Sequence, residues 1–182
     1  NAKRTDEAVK TYGEAEQAAT LAKEKQEPGA GKLVIQARLS AGAALVGAAR
    51  FPEAGPVYEQ TAPLARAEAD ALLELESLRM AAYCREASKD WEGAWTLGGK
   101  ALQVGEKMKP EEKENSTLPY VGQALTRVNN KVRKTDGATL KKHLDKTIGE
   151  GWEKKIERSP APADPAGGMA GQRSKAASGN AT

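Results

Sequence analysis

Aromatic side chains make up only 4% of this 182-residue chain, which carries one cysteine, one histidine and one phenylalanine. Each scarcity excludes something. A single cysteine, Cys84, forms no internal disulfide, and with neither a histidine nor a CxxC partner near it in sequence it reads as a small buried apolar residue rather than a reactive thiol. A single histidine, His143, stands between Lys142 and Leu144 with no second ligand one turn on, so the paired-imidazole pattern of a helical metal site is missing. The longest apolar run, Leu33 to Ala49, is interrupted by Gln36, Arg38 and Ser40; it is too short and too polar to span a bilayer, and no membrane insertion is expected. Acidic residues are plentiful but sit beside lysines at helix-face spacing. No acid–base pair, catalytic constellation or cofactor site is therefore assigned, and the chain is read as a non-enzyme. β-branched residues are sparse while Ala, Leu, Lys and Glu dominate, which favours helix almost throughout and leaves no strand.

The length suits one domain or a short repeat array whose core needs no disulfide or metal. Residues 1–158 read as that domain. From 159 to 182 Pro, Gly, Ser and Ala replace leucine entirely, which predicts a disordered tail. Net charge is +3, but residues 127–158 carry ten Lys/Arg against five Asp/Glu, so that segment is +5 and the remainder −2. The chain opens at Asn1 with no basic-then-apolar leader, which reads as a processed or excised start. The Ala-rich, aromatic-poor composition looks bacterial, and the expected compartment is the cytoplasm, with the periplasm open.

Periodicity and punctuation predict seven helices. The first runs from Thr5-Asp6 to about Glu27, where Pro28-Gly29 breaks it. The second, Lys32 to Arg50, sets Leu33, Ala37, Ala41, Leu45 and Ala48 on one face, with Gly42 and Gly47 admitting a close neighbour. The third runs from Pro52 to about Asp70, with a kink or break expected near Thr61 because Pro63 lies inside it. The fourth spans Ala71 to Lys89 and the fifth Trp91 to Met108. Residues 110–117 form a polar connector whose Ser116 or Thr117 caps a sixth helix carrying Val121, Leu125, Val128 and Val132. The seventh, Ala138 to about Ile156, places Leu140, Leu144 and Ile148 on one side and its lysines on the other.

One phrase recurs. Phe51-Pro-Glu-Ala54 and Trp91-Glu-Gly-Ala94 each open a helix, and weaker copies stand at Thr5-Asp-Glu-Ala8 and Thr135-Asp-Gly-Ala138; successive alanines are 46, 40 and 44 residues apart. Near-regular intervals of this size mark stacked helical hairpins. The phrase resembles the tetratricopeptide repeat in a long-helix variant, over about residues 33–108. Phe51 and Trp91 fall on the family's aromatic position, Ala54 and Ala94 on its small packing position, Tyr12 and Tyr58 on the later aromatic site, Ala15 and Ala101 on the following small site, and Gly42 and Ala82 on the small site of the first helix. Gly98 and Lys142 depart from the later aromatic, and the intervals overlap those of HEAT repeats, the alternative. The resemblance implies an all-α, right-handed stack of about three antiparallel hairpins, packed through Phe51, Ala54, Tyr58, Trp91, Ala94 and Ala101.

By that resemblance, the chain is a non-catalytic adaptor or scaffold that binds a segment of another protein, or a subunit of a larger assembly, in a concave groove. The groove candidates are Gln36, Ser40, Arg79, Tyr83, Tyr120, Gln123 and Arg127. In size and helix count it also resembles the small tetratricopeptide chaperones of bacterial secretion systems, a more specific alternative. A third reading is nucleic-acid binding through a basic face of Arg127, Lys131, Arg133, Lys134, Lys141, Lys142 and Lys146; these are not interleaved with the aromatics that would stack on bases, and a solvated cationic face is the plainer account. Pro28-Gly-Ala-Gly-Lys32 looks like a phosphate loop but has Gln26 where the first glycine belongs and Leu33 where Ser or Thr belongs, so it reads as a turn. Asn115-Ser-Thr117 and Asn180-Ala-Thr182 match the glycosylation sequon, which has meaning only in a secreted eukaryotic chain.

Overall fold

A computed structural model describes residues 2–158, and the expected tail at 159–182 lies outside the described residues. Among the described residues there are nine helices and no strand: α1 (Ala2–Glu24), α2 (Ala30–Gly47), α3 (Phe51–Ala67), α4 (Ala71–Ala87), α5 (Trp91–Lys107), α6 (Pro110–Glu114), α7 (Leu118–Val132), α8 (Gly137–Ile148) and α9 (Glu153–Arg158). The long helices pack in consecutive pairs. Alternate ones also meet, α2 with α4, α4 with α7, and α5 with α8.

The turns explain the period. Ala49, Ala69 and Lys89 stand twenty residues apart, each in the left-handed region at φ 59°, 54° and 63°. After each, the next amide reaches back to close the preceding helix: Arg50 N to Leu45 O, Asp70 N to Ala65 O and Asp90 N to Arg85 O, all at 2.9–3.0 Å. This is the Schellman closure, built here without glycine. The residue after it starts the next helix, and Asp70 and Asp90 accept from Leu73 N and Gly93 N at 3.1 and 3.0 Å. Three helices of 17 residues result. The forty-residue phrase is thus two twenty-residue helix–turn units.

Four expectations change. The third helix shows no break near Thr61: Pro56 and Pro63 both lie inside it, and both are exposed. The seventh helix is two: Gly149 at φ 109° and Gly151 at φ 72° end α8 and turn the chain into α9. The polar connector holds a short helix, α6, started by Pro110 and by Glu112 Oε2 accepting from Lys109 N at 2.9 Å. Gly47 and Leu33 face solvent, Leu33 being 55% exposed, since of three consecutive apolar residues only Val34 and Ile35 can turn inward. Boundaries elsewhere stay in place or move by up to about three residues, as helix ends do.

Small residues set the distances between helices. A Cβ on Gly42 would lie 2.6 Å from the Tyr58 ring, so α2 and α3 touch through a glycine and an aromatic. Gly98 and Gly105 of α5 receive Leu125 and Leu118 of α7, two pairs with the same seven-residue spacing and opposite order, which makes these helices antiparallel. Gly122 of α7 receives Ile148 and the Trp152 ring. Ala54, Ala94, Ala101 and Tyr58 are buried, Phe51 and Trp91 are half-buried, and Ala15 is exposed. One apolar cluster extends from Leu45 to Trp152.

Candidate partner-binding groove

Two bidentate arginines fix the face shared by α4 and α7. Arg79 donates to both oxygens of Glu76 at 2.8 and 2.6 Å, and Thr117 Oγ1 donates to Glu76 Oε2 at 3.0 Å. Ten residues further along each helix, Arg127 donates to both oxygens of Glu86 at 2.9 and 3.0 Å. Glu76 pairs with residue 117 and Glu86 with residue 127, so α4 and α7 run parallel at a constant offset of 41 residues. That is the relation between equivalent helices of successive hairpins. Tyr83 lies between them, edge-on to Phe51 with ring centroids 5.8 Å apart.

The groove candidates therefore fall on neighbouring elements of one layer: Gln36 and Ser40 on α2, Arg79 and Tyr83 on α4, and Tyr120, Gln123 and Arg127 on α7. Gln36 and Gln123 are exposed, and Ser40, Tyr83 and Tyr120 are half-buried. Arg79 and Arg127 are held by glutamates, and the Glu86 hydrogen bonds raise the Arg127 pKa further above its ordinary value.

Beyond α7 the face opens into a groove of about 450 Å3. Its floor is Leu140 and Leu144 of α8 with Trp152, just before α9, and Ile156 of α9, and its rim includes Gln123, Arg127, Asn130 and Lys141. Buried Asn129 braces the α7–α8 turn beside it, donating to Thr135 O at 2.8 Å and accepting from Thr135 N at 3.2 Å. Asp136 accepts from Thr139 N at 2.9 Å to start α8, and its pKa is lowered by hydrogen bonds from the Thr139 side chain and backbone. Lys141 bridges α8 to α9 by binding Glu153 at 2.8 Å and Asp145 at 3.1 Å, which raises its own pKa and lowers that of Glu153.

The basic residues do not form one open strip. Arg127 is taken by Glu86, Lys134 by Glu92 at 3.0 Å, Lys141 by Asp145 and Glu153, and Lys131 lies 5.9 Å from the centroid of the Trp91 ring. Arg133 sits at the left-handed C-cap of α7. Lys142 and Lys146 border a shallow exposed surface with Lys141.

The other singled-out residues take structural places. Cys84 is 1% exposed and burial pushes its thiol up to about 12, far from a thiolate at neutral pH. At the start of α2 the Glu68 carboxylate lies against Gly31 and accepts from Lys23 at 2.7 Å, so an acidic side chain of the protein itself covers the phosphate-loop-like turn. His143 is half exposed, 3.5 Å from Glu106. No group of three His, Cys, Asp or Glu among the described residues is placed to hold a metal, and no described helix is long and apolar enough to cross a membrane.

Sequence reasoning missed Glu76 and Glu86, whose roles depend on which helix lies opposite, and Trp152. For Trp152 a signal existed, since a Trp-Glu pair stands at 152–153 as it does at 91–92, just before α9 in the one case and at the start of α5 in the other. Compared with family models, curated proteins and solved structures, the chain matches none of them.

Proposed function

We propose that this chain is a non-catalytic adaptor: a right-handed, tetratricopeptide-like stack of hairpins that holds a segment of another protein along the face of α2, α4 and α7. The observation that carries the reading is the continuity of that face with the groove beyond α7, joined through Gln123 and Arg127, which belong to both. A rigid layer of parallel helices with half-buried aromatics at its surface offers shape and apolar area to a partner segment. The arginines on it are already satisfied by glutamates, so they orient the surface rather than waiting for a free anion, and the intramolecular pairing of the basic residues weakens the case for nucleic acid.

The test is site-specific photo-crosslinking in extract of the source organism, with the reactive residue at Gln36, Tyr120 or Gln123 and, on the opposite layer, at Gln60 or Lys100. A protein adduct from the first three positions, insensitive to nuclease and persisting at high salt, is the expected result. Equal adducts from both layers, or only nucleic-acid adducts, would overturn the reading.

A further inference from the structure

The first helix is held to the stack differently from the others. α1 packs along α2 and has no comparable contact with another described helix. Of its 23 residues Ala19 is the one that is buried, whereas α8 buries four of 12. The stripe it turns towards α2 consists mostly of small, half-buried residues, Ala8, Val9, Tyr12, Gly13 and Ala22, and of these only Val9 packs against the main apolar cluster. Apolar burial therefore contributes little to its attachment.

Ion pairs add to that hold along the whole helix. Asp6 binds Arg50 just beyond α2, Glu16 binds Arg38 inside α2 at 2.6 Å, and Lys23 binds Glu68 just beyond α3 at 2.7 Å. One pair lies near each end of α1 and one near its middle, and the first two set α1 antiparallel to α2. Pairs that are half-exposed or more are individually weak, so it is their sum that counts. They are also open to screening, since the Debye length falls from about 10 Å at 0.1 M salt to about 3 Å at 1 M.

We infer that α1 is a releasable cover on α2, which undocks as a unit when salt screens these three pairs while the helices behind it stay folded. Segments with few buried apolar contacts open locally at a lower cost than global unfolding, and α1 is such a segment.

The surface it covers can be placed. Gly42 of α2 faces the Tyr58 ring of α3, whereas Arg38 is taken by Glu16 of α1. Val34 lies one turn before Arg38 on the same side of α2, and it is 8% exposed yet no part of the main apolar cluster. Its cover on that side is α1. Undocking opens this flank of the helix that also carries Gln36 and Ser40, so ionic strength sets how much of α2 is accessible.

The experiment follows labelling by a neutral maleimide in the full chain carrying Val34→Cys, with native Cys84, 1% exposed in α4, as the internal report of global unfolding. The thiol at position 34 should react at least about tenfold faster than Cys84 at low salt, and at least about fivefold faster again in 1 M NaCl, with the Cys84 rate unchanged. Glu16→Gln should raise the low-salt rate at position 34 and reduce its salt response, and should add nothing when Arg38→Gln is already present. Hydrogen exchange on the unsubstituted chain gives a second reading: amides of α1 should lose protection in 1 M NaCl while those of α4 and α5 keep theirs. A thiol at position 34 that reacts no faster than Cys84 would show that α1 opens only with the whole fold. Equal rates at both salt concentrations would show that its hold is not ionic. Either result overturns the inference, as would α1 amides as protected as those of α4 and α5 in 1 M NaCl.

Discussion

Glycine is used in two opposed ways along these helices, and substitution separates them. At Gly42 an added methyl would lie 2.6 Å from the buried Tyr58 ring, which has no room to retreat. At Gly99 of α5 an added methyl would meet nothing within 4 Å. Gly42→Ala should therefore destabilise by about 1–3 kcal/mol through overpacking, in spite of its better helix propensity. Gly99→Ala should stabilise by about 0.5–1 kcal/mol. Denaturant melts of the two variants against the parent test both signs together. The turns allow the converse change. Ala69 holds a positive φ that costs any L residue, so Ala69→Gly should raise stability by about 1 kcal/mol, read as a higher urea midpoint at unchanged slope.

Among the elements, α8 and α9 are joined to each other through titrating groups. Asp136 starts α8 and Glu153 joins it to α9 through Lys141, and both carboxyls have pKa values lowered by these partners. A carboxyl with a depressed folded-state pKa adds stability above its unfolded-state value, and the contribution disappears as pH falls through the folded one. The contribution is thus complete at neutral pH, begins to fade below the ordinary values of 3.8 and 4.5, and is gone at lower pH still. Between pH 5 and pH 2, amide protons of α8 and α9 should lose exchange protection before those of α4 and α5, which pack between other long helices in the middle of the stack. Simultaneous loss along the chain would show that these two carboxyls do not govern the order. The absence of a break in α3 belongs to this scale as well. Pro56 and Pro63 both lie on the exposed face of α3, and which face is exposed is set by the packing of α3 on its neighbours.

For the whole molecule the end of the stack is decisive. Leu140, Leu144, Ile148 and Trp152 join the same apolar cluster as Val121 and Leu125, and Gly122 is occupied by Ile148 and the Trp152 ring. A chain ending at Gly137 would uncover that surface, and repeat arrays without a terminal cover associate. Light scattering should find the chain ending at Arg158 monodisperse and the one ending at Gly137 associating. A monodisperse, equally stable shorter chain would make α8 and α9 an appended element rather than a cap.

Helix almost everywhere, the breaks at Pro28-Gly29 and before Pro110, and the burial of the alanines at 54 and 94 follow from composition and local spacing, because propensity and hydrophobic period act within a few turns. The forty-residue phrase announced stacking. Its twenty-residue origin did not show, since Ala49, Ala69 and Lys89 adopt a conformation usually signalled by glycine. Gly98 stands where the resemblance calls for an aromatic, and the side chain that lies against it is Leu125 of α7, which local spacing does not announce. The pairing of Glu76 with Thr117 and of Glu86 with Arg127, the neutralisation of much of the basic run, and the groove floored by Trp152 depend on residues some forty positions apart or on a glycine turn that folds α9 back on α7. Such contacts are set by how whole helices dock, and only the tertiary structure could decide them.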